Sequence, residues 1–346
     1  MPEVSLIIED SKSDSHDPAP LPDNIKVKEL VEKNELDKNA MGGTELMKFG
    51  LHERLPEELS NKFQIIPTRV RDIDPDRISI LWVHDLAGDP EVKHLDKVSA
   101  EDLKFARLVF VSYWQLQQFR DFLNVPFSKS IVLPNAIVPI EEHEKPDDVI
   151  NIVYHTTPHR GLELLVPVFD HLYENFFAKM KKEVHLHVYS DFDIYGWPNR
   201  NEPYEKLFDK CREHSHIHYH GILPNEELKK QLQKMHIFAY PSIWPETSCI
   251  ALLEAMSAGL LCVHSAYAAL PETASNWTMM YPMTEDHQEH CNRFADQLLS
   301  AVKMVDQDFI KDRLSMQKRY TNGFYNWDIR AMQWKAMLEG LLGNDR

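Results

Sequence analysis

Two glutamates, Glu246 and Glu254, stand seven residues apart in the stretch Pro241–Gly259, PSIWPETSCIALLEAMSAG. A Pro-Glu-Thr-Ser turn leads into the apolar run Ile250–Ala258, which predicts a helix buried on most of its faces, with Thr247 or Ser248 as its cap. Glu254 then sits almost alone among apolar side chains. A buried carboxylate needs hydroxyls or a cation around it, and the hydroxyls of a ribose would serve. Glu246 falls one step before the helix, where the N–H groups of Thr247 to Ile250 and the positive end of the dipole suit a phosphate or a sugar oxygen. The plain alternative is a structural pair, solvated or salt-bridged.

Short apolar strands must hold such residues in place. Ile237–Tyr240 delivers the turn and Leu260–His264 follows the helix. Upstream, the buried run Asn151–Tyr154 ends at His155-Thr156-Thr157-Pro158-His159-Arg160-Gly161-Leu162, whose Arg160 offers bidentate contacts to phosphate oxygens. The segments Val184–Tyr189 and His216–Gly221 alternate like strands, and histidines two apart would share one sheet face, where a metal is one reading and a half-exposed polar face the other. The turn Gly221-Ile222-Leu223-Pro224 leads to an expected Asn225 cap and a helix from Glu226 to Met235. Nearer the start, Met41-Gly42-Gly43-Thr44 precedes a helical pattern through Leu46, Phe49 and Leu55 to Leu59, with Thr44 able to cap and the glycines able to bring backbone close to an anion. Phe63–Pro67, Ile78–Val83 and Leu108–Val111 read as strands, the second ending at His84, where ligands of doubly wound sheets sit. Val4–Ile8 reads as a strand and Ile25–Leu36 as an amphipathic helix.

Strands alternating with helices in both halves of 346 residues argue for two parallel-sheet domains, each large enough for its own core. The formal charge of −16 argues against a nucleic acid or an anionic membrane as partner. Lys179–Lys182, the one dense basic run, reads as a solvated helix end. Four cysteines without paired spacing read as reduced thiols of a cytoplasmic protein, and no apolar run is long enough for a transmembrane segment.

The Glu-x7-Glu stretch resembles the signature of the family-4 retaining glycosyltransferases, "PS...E...LEAMA.G.PV". The match runs from Ala239-Tyr240-Pro241-Ser242 through Glu246 and Leu253-Glu254-Ala255-Met256 to Gly259, and on to Ala269-Leu270-Pro271-Glu272-Thr273. Ile131–Ile137 is similar to the family's "PNGI" segment, and the loop ending in Arg160 resembles a subset reading "SSPDRGL", with Thr156 where other members carry a second cation. The resemblance implies the GT-B fold, two Rossmann-like domains facing each other across a cleft: an N-terminal acceptor-side domain over 1–142, a nucleotide-sugar domain over 143–322, and a last helix over 323–346 crossing back to the first.

It also implies an activity, the metal-independent, retaining transfer of a hexose from a nucleoside-diphosphate sugar to a glycan, lipid-linked or small-molecule acceptor, with no cofactor. Glu246 and His84 would be the catalytic groups. Glu254, Arg160, Thr247, Ser248, Cys249, Ile250, Gly42, Gly43, Thr44, Gly221 and Ile222 would contact the donor. The rivals are a non-catalytic nucleotide- or glycan-binding member, motivated by Thr156, and a nucleotide-sugar epimerase.

Overall fold

The computed structural model describes residues 42–343, so the expected elements Val4–Ile8 and Ile25–Leu36 lie outside the described residues. Two compact units are present. Pro139–Gly323 make one, and the residues up to Val138 together with those from Phe324 onward make the other.

Among the described residues the second of these carries a four-stranded parallel sheet in the order β1-β2-β3-β4, formed by Phe63–Pro67, Ile78–Val83, Arg107–Phe110 and Ser130–Val132. Strands this apolar are covered on both faces, and Ile80, Leu81, Trp82 and Val83 of β2 are all fully buried. The expected helix to Leu59 is two helices, α1 (Gly43–His52) and α2 (Glu57–Ser60). Pro56 accounts for the division, because it has no N–H to donate and restricts the residue before it. Nor does Thr44 cap α1: Gly42 holds the cap position and no side chain bonds there. Helix α3 (Tyr113–Leu123) is capped by Ser112, whose hydroxyl accepts from the Gln115 N–H.

The last helix, α11 (Trp327–Gly343), belongs to the same unit, where Trp334 packs on Trp82 with ring centroids 4.7 Å apart. Trp327 lies so close to Gly50 that a Cβ there would collide with its indole ring.

The unit of residues 139–323 holds a six-stranded parallel sheet in the order β10-β9-β8-β5-β6-β7. Its strands are β5 (Val149–Tyr154), β6 (Glu183–Val188), β7 (Ile217–Tyr219), β8 (Ile237–Tyr240), β9 (Leu261–Ala266) and β10 (Met279–Pro282). Helices α4 (Leu162–Asn175), α5 (Glu205–Glu213), α6 (Asn225–Leu232), α7 (Ile250–Ser257), α8 (Leu270–Ala274), α9 (His287–Met304) and α10 (Asp308–Phe324) connect or cover them. The chain leaves β5 toward β6 and β7 on one side, and returns to place β8, β9 and β10 on the other. The order therefore reverses between β5 and β8, and in doubly wound sheets the crevice for ligands lies there, beyond the strands' carboxyl ends.

The acidic, proline-containing segment after Val138 is fastened to this unit. The Ile140 N–H donates to Ser257 Oγ at 2.9 Å, and Lys145 Nζ donates to the carbonyls of Met235 and Ala258. Lys179 donates to the Asn175 carbonyl and Lys182 pairs with Asp306 at 2.7 Å, so the basic run is spent locally. All four cysteines are free thiols in buried positions.

Candidate active site

Two loops leave the sheet at the point where strand order reverses. The loop after β5 runs from His155 to Gly161, and the loop after β8 from Pro241 to Cys249. They are laid against each other by backbone. Gly161 adopts φ +128°, and a Cβ at that position would run into the Pro241 carbonyl oxygen, so only glycine permits the approach. The Ile243 N–H donates to the Arg160 carbonyl nearby, at 3.4 Å.

This contact brings together residues 86 apart in sequence. Arg160 Nη1 lies 2.5 Å from Glu246 Oε1, and the Tyr240 hydroxyl at the end of β8 donates to the same oxygen, also at 2.5 Å. Glu246 is 5 % exposed and Tyr240 is fully buried. Burial works against the Arg160 cation, but the Glu246 carboxylate outweighs it and the guanidinium stays charged. Burial, reinforced by Glu246, holds Tyr240 in its protonated form as a donor.

Arg160 Nη2 donates to the Tyr195 hydroxyl at 3.3 Å, while its Nε has no partner among the described residues. Trp244, 37 % exposed, flanks the guanidinium with its ring centroid 5.7 Å from Cζ. His159 lies between Trp244 and Phe192 and is kept neutral, first by burial and then by Arg160 and Arg200, which lower it to about 3. Thr156 and Thr157 are buried on the same loop, and the Thr157 hydroxyl has no partner among the described residues.

Glu254 projects from α7, 6 % exposed. Its Oε1 accepts one hydrogen bond, from Asn225 Nδ2 at 2.7 Å. Burial raises the carboxyl to about 7, against the opposing pull of Asn225 and of Lys229. Asn225 is thus not a cap. It is the first residue of α6, Pro224 stands before it, and its side chain reaches across to α7. The cap of α7 also differs from expectation. Cys249, not Thr247 or Ser248, occupies it, and its Sγ accepts from the Leu252 N–H at 3.4 Å. The helix begins one residue later than a Ser248 cap would require and two later than a Thr247 cap would, because both are still part of the loop from β8.

The expected donor residues fall into both units. Arg160, Thr247, Ser248, Cys249, Ile250 and Glu254 surround or adjoin the crevice between β5 and β8, and Gly221 and Ile222 lie on the loop from β7 to α6. Gly221 has φ +66°, as a tight turn toward Pro224 requires. Gly42, Gly43 and Thr44 open α1, and His84 follows β2 in the other unit. His84 packs against Trp82 with tilted rings, centroids 4.8 Å apart, its backbone N–H donates to the Thr68 hydroxyl, and burial lowers its imidazole to about 3, so it is neutral at pH 7.

Sequence reasoning did not single out Tyr240, Tyr195 or Trp244 as site residues, and it misassigned Asn225. A signal for Tyr240 existed, since a tyrosine ending a buried strand needs a partner for its hydroxyl.

The histidines of β6 and β7 do share a face, but they satisfy one another. His218 Nε2 and His185 Nδ1 are 3.0 Å apart, His187 Nδ1 and His220 Nε2 are 3.1 Å apart, and His187 Nε2 lies 3.3 Å from Asn151 Oδ1. Among the described residues no group of three His, Cys, Asp or Glu side chains is arranged to hold a metal ion. Nor is any described helix long and apolar enough to cross a membrane.

A doubly wound six-stranded sheet with a buried cation–carboxylate pair at its switch point in one unit, and a four-stranded parallel sheet in the other, make up the two-sheet α/β architecture of the GT-B fold. Residues 135–306 match the family model described as Glycosyl transferases group 1, and over that span the chain is a group 1 glycosyltransferase. Solved structures agree on the fold. A glycosyltransferase from Rickettsia africae ESF-5 superposes with a TM-score of 0.65 over 92 % of this chain and 88 % of its own, at 14 % identity. Sucrose-phosphate synthase from Thermosynechococcus elongatus matches with a TM-score of 0.60 over 87 % and 79 % at 12 % identity. An alpha,alpha-trehalose 6-phosphate synthase from Burkholderia multivorans gives 0.63 over 87 % and 77 % at 11 % identity. No curated protein matches the chain in sequence.

Proposed function

We propose that the protein transfers a hexose with retention of anomeric configuration, without a metal, from a nucleoside-diphosphate sugar bound at the β5/β8 crevice. The observation that carries this is the Arg160–Glu246–Tyr240 cluster, a charged donor and acceptor pair held at 2.5 Å at the switch point of the sheet. In the reaction the bond from the anomeric carbon to the diphosphate breaks and negative charge grows on the leaving oxygens. Arg160, through the Nε that has no partner among the described residues, and the N–H groups near Ser248, Cys249 and Ile250 would take up that charge. Glu246 would accept hydrogen bonds from the sugar hydroxyls and offset the positive charge of an oxocarbenium-like transition state. It is not assigned as a nucleophile.

Glu254 would bind the ribose hydroxyls, and Gly221 and Ile222 would border the base. Gly42, Gly43 and Thr44 would contact the donor phosphates or the acceptor, and neutral His84 would position the transferred sugar. Retention then follows from attack on the face that the diphosphate leaves, with the departing phosphate taking the acceptor's proton.

Water can stand in for the acceptor in a test. Donor hydrolysis in the presence of EDTA, followed by proton NMR from the first minutes, should continue unimpaired and show the sugar first in the anomeric form it had in the donor. Abolition by EDTA, or first appearance of the opposite anomer, would contradict the proposal.

A further inference from the structure

Glu254 is an ionisable group in an apolar setting whose one hydrogen bond among the described residues is made by a residue outside the Glu-x7-Glu stretch. Asn225 lies 29 positions earlier, at the start of α6, and its Nδ2 meets Glu254 Oε1 at 2.7 Å. A helix's first residue is free to turn its side chain toward the helix's own N–H groups, and asparagine favours doing so. Here it faces away from them and toward a carboxylate. The charged groups facing Glu254 are Lys229 and Glu226, both on α6 and paired with each other at 2.6 Å, so the favourable charge of Lys229 is largely answered by Glu226. Lys229 is itself buried, at 8 % exposure, which fixes this turn of α6 against the site.

We propose that Asn225 is a positioning residue for the donor: by holding one oxygen of Glu254, its amide orients that carboxylate toward the hydroxyls of the donor's nucleoside. The inference rests on the proposed role of Glu254 and deepens it. An amide that donates to a carboxylate also favours the ionised form. Glu254, raised by burial to about 7, sits where this matters, because a protonated carboxyl accepts fewer hydrogen bonds from a diol. Without Asn225 the carboxyl would both lose its orientation and ionise at higher pH.

The experiment is nucleotide binding by calorimetry between pH 6 and 9.5 with UDP, GDP, ADP and TDP as probes, on wild type, Asn225→Leu, Asn225→Ser and Glu254→Gln. Thermal unfolding of each variant accompanies it. Wild-type affinity for the preferred nucleotide should rise with pH through about 7. In Asn225→Leu the affinity at pH 7 should fall about tenfold, the loss expected for a hydrogen bond to a charged group, and the midpoint of its rise should move to higher pH. Asn225→Ser, the smaller change, guards against failure to fold and should show the same upward movement. A merely structural role would lower the unfolding temperature and leave that midpoint where it is. If both Asn225 variants bind with wild-type affinity and midpoint while Glu254→Gln binds weakly, Asn225 has no positioning role. If Glu254→Gln binds as wild type does, the assignment of Glu254 itself fails, and the inference with it.

Discussion

Arg160 and Glu246 should be strongly coupled in stability as well as in function, and a double-mutant cycle measures how strongly. Glu246→Gln keeps the shape and an acceptor for the Tyr240 hydroxyl but leaves the Arg160 guanidinium without its counter-charge. Removing one member of a buried pair costs about 3–5 kcal/mol. The Arg160 side chain here retains 21 % exposure, and Tyr195 still accepts from Nη2, which places the expected loss at or below the lower end of that range, about 2–3 kcal/mol. Arg160→Met should cost less, about 1–2 kcal/mol, because the Tyr240 hydroxyl still serves Glu246. The double variant replaces an ion pair by a neutral pair and should lose less than the sum, with a coupling energy of about 1–2 kcal/mol. At about 2–4 °C per kcal/mol for a unit of this size, Glu246→Gln should unfold several degrees below wild type, and the double variant should not fall by the two separate shifts added together. Calorimetric unfolding of all four proteins reads this directly. Strict additivity, or an unchanged Glu246→Gln transition, would refute the claim that the pair is a buried, mutually dependent unit.

Two further outcomes follow from particular residues. Gly161→Ala places a Cβ at φ +128° and against the Pro241 carbonyl, so it should destabilise by about 3 kcal/mol and separate the loops that carry Arg160 and Glu246; unfolding and donor cleavage should both suffer, and a variant as stable as wild type would mean that the loops do not approach this closely. His187 is lowered to about 3, first by burial and then by His218, His220 and His185, and its Nε2 lies 3.3 Å from Asn151 Oδ1. Because its folded value lies below the ordinary 6.5, the unfolded chain binds the extra proton, so its contribution is intact above about 6.5 and drains as pH falls toward 3. Unfolding free energy between pH 6 and 4 should therefore fall less steeply in His187→Gln, by about 1.4 kcal/mol per pH unit, and equal slopes would remove His187 from the acid response.

Much of this fold can be read from period and composition. Ile237–Tyr240 is a buried apolar run bounded by turn residues, and it is a strand with those ends. The run Ile78–Val83 is equally plain. What local pattern misjudges is what side chains do at helix starts. Thr247 and Ser248 look like caps because hydroxyls usually are, yet the helix starts after them and a thiol takes the role. Asn225 looks like a cap for the same reason, but its partner comes from α7, and nothing in a linear sequence shows that α6 and α7 place those side chains 2.7 Å apart. The pairing of Arg160 with Glu246 likewise depends on β5 and β8 being neighbours despite two intervening strands, a fact of topology. The histidines of β6 and β7 show the reverse case. Alternation places them on one face, while only the register of the two strands shows them bonding to each other.

The most direct measurement is nucleotide release from a panel of UDP-, GDP-, ADP- and TDP-sugars without acceptor, comparing wild type with Glu246→Gln at a temperature where calorimetry shows both folded. Slow release from one donor by wild type, lost in Glu246→Gln, is the expected result, and it would identify the donor as well. Equal release by the two proteins, or nucleotide binding with no donor ever cleaved, would contradict a catalytic centre built on Glu246.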